Sequence, residues 1–318
     1  MTLAFCLAFY GLLAGVGAPK AMGQASRFVY LPRLGVAVWF AALAGVVVSL
    51  TFAAALVVAS AVHAVDVHCG PMQACVPALN GLGSQSAGQI AVAFAGLAAA
   101  VAAGFVLHLS WVVTRSLSSA WRAHHRHAAM LRMIGRPAPE LGRGALLVDT
   151  AERAAYCVGG RCRTIVVTRG ALGVLARHEL AAVLAHERAH LAGKHHLLLA
   201  LVRAVRQAMP WLPLARVAEA EMARLLEMCA DDAAVRGHGR RSLLAALAAM
   251  TAGPAPHGAL GATGTAVLDR ANRLVEWPPE SRLAASRRAL ACSLTALVLG
   301  PLAVLVAMVL TSCAPALR

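Results

Sequence analysis

Charged residues are scarce in this 318-residue chain, which excludes an ordinary soluble domain. Only 14% of the residues are Asp, Glu, Lys or Arg, while 59% are hydrophobic. Soluble domains average about 25% charged residues, so the composition indicates a membrane protein. Acidic residues are fewer than basic residues. The 14 Asp and Glu against 29 Lys and Arg give a net charge of +15.

Aromatic residues are also few, with three Tyr and seven Phe, and no basic run is interleaved with aromatic side chains. Surfaces that bind single-stranded nucleic acid usually combine basic and aromatic residues. We therefore expect no direct contact with nucleic acid. An anionic membrane surface explains the positive charge more simply.

Four apolar windows are long enough, or nearly so, to cross a bilayer, which takes about 20 residues. The first window has no positively charged segment before it, so we interpret it as a retained anchor rather than a signal peptide. The windows cover residues 2–18, 34–62, 88–113 and 289–310.

The charge of the short loops predicts how these spans are oriented. The loop between the first two windows has three basic residues and no acid, whereas the loop 63–87 has Asp66 and no Lys or Arg. Because positively charged short loops stay in the cytoplasm, the first loop is predicted to be cytoplasmic and the second external. The region 114–288, with 25 Lys and Arg and 13 acids, then faces the cytoplasm. The N-terminus and the tail 311–318 face outward.

The region 114–288 is about one domain long. It contains the β-rich segments "ALLVDT" and "AAYCVGGRCRTIVVT", and the Gly-Gly pair predicts a β-hairpin. The pattern from Ala171 to Arg241 is helical, 251–266 is typical of a Gly/Pro loop, and a short helix is expected over 267–275. The predicted fold is a mainly α integral membrane protein with four transmembrane helices and a cytoplasmic α+β domain.

Another apolar stretch, 196–214, is not predicted to be a fifth span. Arg203 and Arg206 lie near its middle, and two prolines break its end. Two central arginines would cost about 5–7 kcal/mol on the insertion scale. Two alternatives remain: an amphipathic helix on the membrane with Trp211 at its end, or a core helix of the cytoplasmic domain.

The segment "LAHERAHLAGKHH" carries a possible metal site. On a helix, His186 and His190 lie about 40° apart around the axis and share one face. Glu187 follows the first histidine, which gives the HExxH arrangement. In it two imidazoles bind zinc and the glutamate acts on a water molecule as general base. The segment is a good helix, with Glu179 placed favourably in the first turn and Gly193 at its end.

A catalytic zinc normally has three protein ligands and one open position. The helical stretch "ARLLEMCADDAAV" offers Glu227 as the third ligand and Asp231 one turn later on the same face. Asp231 would then accept the free ring N–H of His186 and hold the ring in place. The alternative is a solvated acidic face, in which these carboxylates pair with Arg224 and Arg236.

These segments resemble the membrane gluzincins. The resemblance is to the BlaR/MecR-type family of beta-lactam sensor-transducers and, more distantly, to the HtpX/CAAX-prenyl-protease type. It rests on "LAAVLAHERAHLAGKHHLL", "RLLEMCADDAA" and "IVVTRGALGVL", and it covers about 115–288 plus the four spans. It implies that His186, His190 and Glu227 bind one Zn²⁺, that Glu187 is the catalytic base and acid, and that Asp231 supports the site from behind.

The sequence departs from the sensor members of that family. They carry an extracellular penicillin-binding domain after the last span, where eight residues remain here. The two lysines, Lys20 and Lys194, have no serine three residues before them, so no SxxK acylation motif exists. We expect no beta-lactam binding by this chain.

Several other residues invite a functional interpretation. His195 and His196 follow Gly193 and are expected at the membrane interface rather than at the metal. His124, His125 and His127 are expected to contact lipid headgroups. A cation after the Glu227 helix would stabilise the oxyanion of the transition state. The weak candidates for that cation are Arg236, His238 and Arg241.

The cysteines give two pairs. Cys69 and Cys75 lie in the external loop, where a disulfide is compatible with the oxidising environment. Cys157 and Cys162 would face each other across the Gly159-Gly160 turn, and in the cytoplasm we expect them reduced.

The sequence therefore predicts a membrane-embedded zinc metalloendopeptidase that cleaves a protein or peptide on the cytoplasmic side. Regulatory proteolysis, for example of a transcriptional repressor, is the expected role. Two alternatives stay open: a signalling or scaffold protein whose peptidase-like domain binds without cleaving, and a broad quality-control protease of membrane proteins.

Overall fold

A computed structural model describes residues 2–22, 27–69, 82–159, 163–252, 262–276 and 279–313. Within these ranges the chain is mostly helical, with one four-stranded sheet. The helices are α1 (Thr2–Met22), α2 (Arg27–Tyr30), α3 (Pro32–Cys69), α4 (Leu82–Ile134), α5 (Arg169–Val174), α6 (Arg177–Ala192), α7 (His195–Ala208), α8 (Pro213–Thr251), α9 (Ala262–Val275) and α10 (Glu280–Cys313). The strands are β1 (Arg136–Pro137), β2 (Ala145–Val148), β3 (Ala155–Val158) and β4 (Thr164–Thr168).

Four of the described helices are long and apolar enough to cross a membrane. They are α1, α3, α4 and α10, and each carries one of the four apolar windows of the sequence. Helix α3 packs against the other three. The chain therefore has the set of helices that a four-span membrane protein needs.

Helix α4 continues well beyond the end of its apolar window at Val113. Its 53 residues correspond to about 80 Å of helix. Residues 114–134 contain neither Gly nor Pro, so nothing ends the helix before Gly135 and Pro137. The predicted boundary at residue 114 thus falls inside a helix, and α4 joins its apolar half rigidly to the sheet.

The predicted hairpin is present, since β3 pairs antiparallel with β4 and Cys157 lies opposite Ile165. The sheet is larger than the sequence indicated, because β2 pairs parallel with β4 and the strand order is β1-β2-β4-β3. Helix α4 covers one face through Ala128 and Leu131. Helix α6 covers the other through Leu184 and Leu191. Strand β3 is therefore an edge strand beside α6.

Helix α7 takes the form of the core-helix alternative. Its apolar face, with Val202 and Val205, is buried in the same core as α3 and α8. The two arginines that argued against a span, Arg203 and Arg206, both pair with Glu219 of α8. This ion pairing lets the charged face of α7 lie beside α8 while the other face packs inward.

Helix α9 begins earlier than predicted. The expectation of a loop up to residue 266 is wrong at its end, because the helix starts at Ala262. The rest of that Gly/Pro segment, 253–261, lies outside the described residues, as do Cys75 and Cys162 of the two predicted cysteine pairs.

Candidate metal centre

Helix α6 presents the HExxH residues in regular helical geometry. At its N-terminus the Glu179 carboxylate accepts a hydrogen bond of 2.8 Å from the backbone N–H of Ala176, which satisfies one of the free donors of the first turn. At its C-terminus Gly193 is the capping residue, and its N–H donates to the Ala189 carbonyl. Both ends agree with the sequence prediction, so the helix face that carries the two histidines is well defined.

The structure brings His186, His190 and Glu227 together, with donor atoms all within 4.8 Å of one another. The two Nε2 atoms of the histidines are 3.1 Å apart. Each of them lies 3.4 Å from an oxygen of the Glu227 carboxylate. The two ring nitrogens and the Glu227 carboxylate, which meets each nitrogen with a different oxygen, form the compact group that we call the donor triangle.

This triangle has the dimensions of a zinc site. Zinc binds histidine nitrogen and carboxylate oxygen at about 2.0–2.2 Å in tetrahedral geometry, which places neighbouring ligand atoms about 3.3 Å apart. The observed separations of 3.1 and 3.4 Å fit that value. Two imidazoles and one carboxylate are also the donor set of many catalytic zinc sites. The residues present therefore fit the metal that the HExxH pattern implies.

Asp231 lies behind His186. Its Oδ1 is 3.0 Å from Nδ1 of the His186 ring, and its side chain is 1% exposed. The ring nitrogen on the far side from the donor triangle thus faces a buried carboxylate, which is the arrangement that fixes the orientation of a metal-binding histidine.

His195 lies behind His190, and its expected place at the membrane interface is wrong. The residue is buried, with 8% of its surface exposed. Its Nδ1 is 2.8 Å from Nδ1 of His190. The turn at Gly193 and Lys194 folds the first residue of α7 back onto α6, so the second histidine of the motif also has a partner on its outer nitrogen. His196, the next residue, contacts His124 of α4 instead.

Arg270 on α9 belongs to the centre, and it was not among the site residues predicted from the sequence. Its Nε and Nη2 donate to the two oxygens of Asp231 at 2.8 and 2.6 Å, and its Nη1 lies 3.3 Å from Glu227. Three residues later, Arg273 pairs with Asp232 at 2.7 Å. Arg270 and Arg273 lie about one turn apart on α9, and they pair with the adjacent residues Asp231 and Asp232 of α8. Because the chain has few acidic residues, two arginines at this spacing can be matched to the two aspartates. That match is the only signal that could have identified Arg270.

The predicted oxyanion candidates lie elsewhere. Arg236, His238 and Arg241 are all exposed, around a kink of α8 at Gly239, whose φ of 78° suits glycine. Within the described part of the chain they do not contact the donor triangle, and their role as oxyanion stabilisers stays a prediction. The alternative of a solvated acidic face is also wrong, because Arg224 pairs with Glu221 and Asp231 is buried.

Burial and charge set the proton affinities of these groups. Burial raises the pKa of Glu187, which lies against β3 and interacts with Cys157. Burial alone would also raise the pKa of Glu227, but the hydrogen bond from His186 and the neighbouring positive charges lower it overall. Burial lowers the pKa of His190 to about 4. Neutral His190 and ionised Glu227 are the forms that bind a metal. Burial would lower the pKa of His186, but the carboxylates of Asp231 and Glu227 raise it to about 9, so His186 has to release a proton when a metal binds.

Comparison with known families adds one finding. Residues 119–252 match the model of peptidase family M48, a stretch that includes His186, His190, Glu187, Glu227 and Asp231. No curated protein and no solved structure gives a significant match. The match covers less than half of the chain, and it supports a metallopeptidase that is typically zinc-dependent. Arg270 lies outside the matched residues.

Proposed function

We propose that this protein is a membrane-embedded zinc metalloendopeptidase that cleaves a protein or peptide on the cytoplasmic side. The observation that carries the proposal is the triangle formed by His186, His190 and Glu227, with separations of 3.1 and 3.4 Å. His186, His190 and Glu227 would hold a zinc ion, which would supply Lewis-acid chemistry to a water molecule and to the peptide carbonyl.

Glu187 is the proposed catalytic base and acid. It follows His186 on α6 and turns toward β3 rather than into the donor triangle, where Glu227 takes the third place. A carboxylate beside the open position can take the proton from the attacking water and return it to the leaving amine. Burial raises the pKa of Glu187, which strengthens the carboxylate as a base.

Strand β3 is the proposed docking edge for the substrate. It ends the sheet on the side of α6, and Cys157 in this strand contacts Glu187. An extended peptide that adds to the open edge by backbone hydrogen bonds would pass directly in front of the catalytic glutamate. This arrangement suits cleavage of an extended or unfolded segment.

The membrane location and the regulatory role are part of the proposal. Four apolar helices of sufficient length support insertion, and the basic loops of the sequence support a cytoplasmic peptidase domain. The resemblance to BlaR/MecR-type proteins suggests regulatory proteolysis, for example of a transcriptional repressor.

The test is the change Glu187→Gln in the full-length protein. We expect loss of peptide cleavage with zinc retained, because Glu187 is not a ligand. Glu221→Gln is the matched control, since Glu221 pairs with Arg224 at the surface of α8. Proteomes of cells that carry each variant would reveal the substrate as a fragment absent only with Glu187→Gln. Unchanged cleavage by this variant would contradict the proposed mechanism.

A further inference from the structure

We propose that a pocket between α4 and the start of α7 binds a bulky apolar side chain of the substrate, with an acidic residue beside it. The pocket has a volume of about 500 Å³, which is ample for one large side chain. The inference rests on the proposed function, because it gives the substrate class of the same peptidase.

The walls of the pocket are apolar and its rim is basic. Trp121, Leu191 and Leu197 contribute apolar surface, while Arg163 and Lys194 contribute permanent positive charge. None of the described residues that line it carries a carboxylate. A ligand with an apolar body and a neighbouring negative charge complements these walls better than a basic or fully polar one.

The pocket continues the proposed docking edge. Gly159 directly follows β3 and packs so tightly on His196 that a Cβ atom there would fall 2.5 Å from the imidazole ring. His196 is also part of the pocket wall. Because a strand advances about 3.3 Å per residue, Gly159 lies only about 7 Å along the chain from Cys157, which contacts Glu187. A peptide on β3 would reach the pocket with a side chain a few residues from the cleaved bond.

The position of the pocket favours a peptide over a lipid. Its α4 residues run from Leu117 to His124, four to eleven residues past the end of the apolar window at Val113. At 1.5 Å per residue this is about 6–16 Å beyond the hydrocarbon region, whereas the headgroup layer is about 5–8 Å thick. With the hydrocarbon region expected to end near Val113, most of the pocket would lie above the lipid headgroups, at the level of the sheet.

The two histidines of the pocket do not add to its positive charge at neutral pH. Burial lowers the pKa of His124 and of His196; the pKa of His124 is lowered further by His127, and that of His196 by His124. Arg163 and Lys194 thus supply the charge that would attract an acidic residue.

The first experiment fills the pocket. We compare how the full-length wild-type protein and its Ala120→Phe variant cleave a library of peptides. The peptides differ only in the side chain at one position, which is Leu, Phe or Ala. Ala120 lines the pocket, so the variant should lose at least 10-fold in kcat/KM for Leu- and Phe-containing peptides while Ala-containing peptides react as before. Ser119→Phe is the matched control, because Ser119 is exposed and lies about 100° or more around the helix from the residues that line the pocket.

The second experiment reverses the charge. Arg163→Glu should remove any preference for an acidic neighbour, whereas Arg177→Glu, at the exposed start of α6, should keep it. Binding of the same fluorescent peptides to Glu187→Gln protein, with and without Ala120→Phe, gives a readout that needs no turnover. Equal peptide preference in wild type and both pocket variants would overturn the subsite and leave the peptidase intact.

Two further outcomes would contradict the inference, one by identifying a lipid in the pocket and the other by contradicting the peptidase function itself. If the pocket variants change only the phospholipids that copurify with the protein, the pocket holds a lipid and the inference is wrong. If wild type cleaves no peptide and Glu187→Gln binds none, the proposed function fails together with the subsite.

Discussion

Arg270 donates two hydrogen bonds to Asp231, at 2.8 and 2.6 Å, while the same carboxylate lies 3.0 Å from Nδ1 of His186. The buried aspartate thus shares its two oxygens between an arginine of α9 and a histidine of the donor triangle. Helix α9, which follows the Gly/Pro segment and precedes α10, is in this way attached to the centre.

Replacing Asp231 by Asn should weaken zinc binding and activity together and only in part. The amide keeps the shape and one acceptor but loses the charge that orients His186, and removal of such a partner typically costs 10–100-fold. Zinc affinity measured by chelator competition checks this. Asp232→Asn is the matched control, because Asp232 pairs with Arg273 rather than with the triangle. A larger effect of Asp232→Asn would contradict the assignment.

Replacing Arg270 by Gln should lower both stability and zinc affinity. The change leaves the Asp231 carboxylate buried with one partner fewer, and breaking a buried ion pair costs about 3–5 kcal/mol. Arg270→Lys should recover only part of this loss, because a lysine cannot make the two parallel hydrogen bonds. Denaturant unfolding and zinc competition measure the two effects. Wild-type values for Arg270→Gln would remove the arginine from the centre.

Replacing His195 by Ala should reduce zinc affinity about 10-fold, since His190 then loses the partner on its outer nitrogen. His196→Ala should keep zinc affinity, because His196 contacts His124 and not the triangle. The same chelator competition distinguishes the two neighbours. An equal effect of both changes would indicate a general disturbance of the turn between α6 and α7.

The segment that connects α3 to α4 and the segment that connects α8 to α9 should lie on opposite sides of the membrane. The first carries no Lys or Arg, and the second belongs to the basic region 114–288. Reporter fusions whose activity depends on the compartment, inserted in each loop, measure this. Signals from the same side would contradict the four-span topology.

Local spacing in the sequence was enough to pair His186 with His190 and Glu227 with Asp231, because residues four apart on a helix share a face. The meeting of the two pairs was inferred from the third protein ligand that a catalytic zinc requires. The hairpin and the four apolar helices follow from equally local patterns. Arg270 could not be predicted in this way, since it belongs to no metal-binding motif and meets Asp231 only through the packing of α9 against α8. The pairing of β2 with β4 and the return of His195 onto His190 also depend on tertiary packing, which no local period encodes.

The most direct test of the account is the zinc content of the purified full-length protein and of its Glu227→Gln variant. We expect about one zinc per chain in the wild type and strongly reduced zinc in the variant. An amide that replaces the carboxylate removes the only charged ligand of the triangle. Absence of zinc from the wild type, or full retention by Glu227→Gln, would contradict the proposed metal centre.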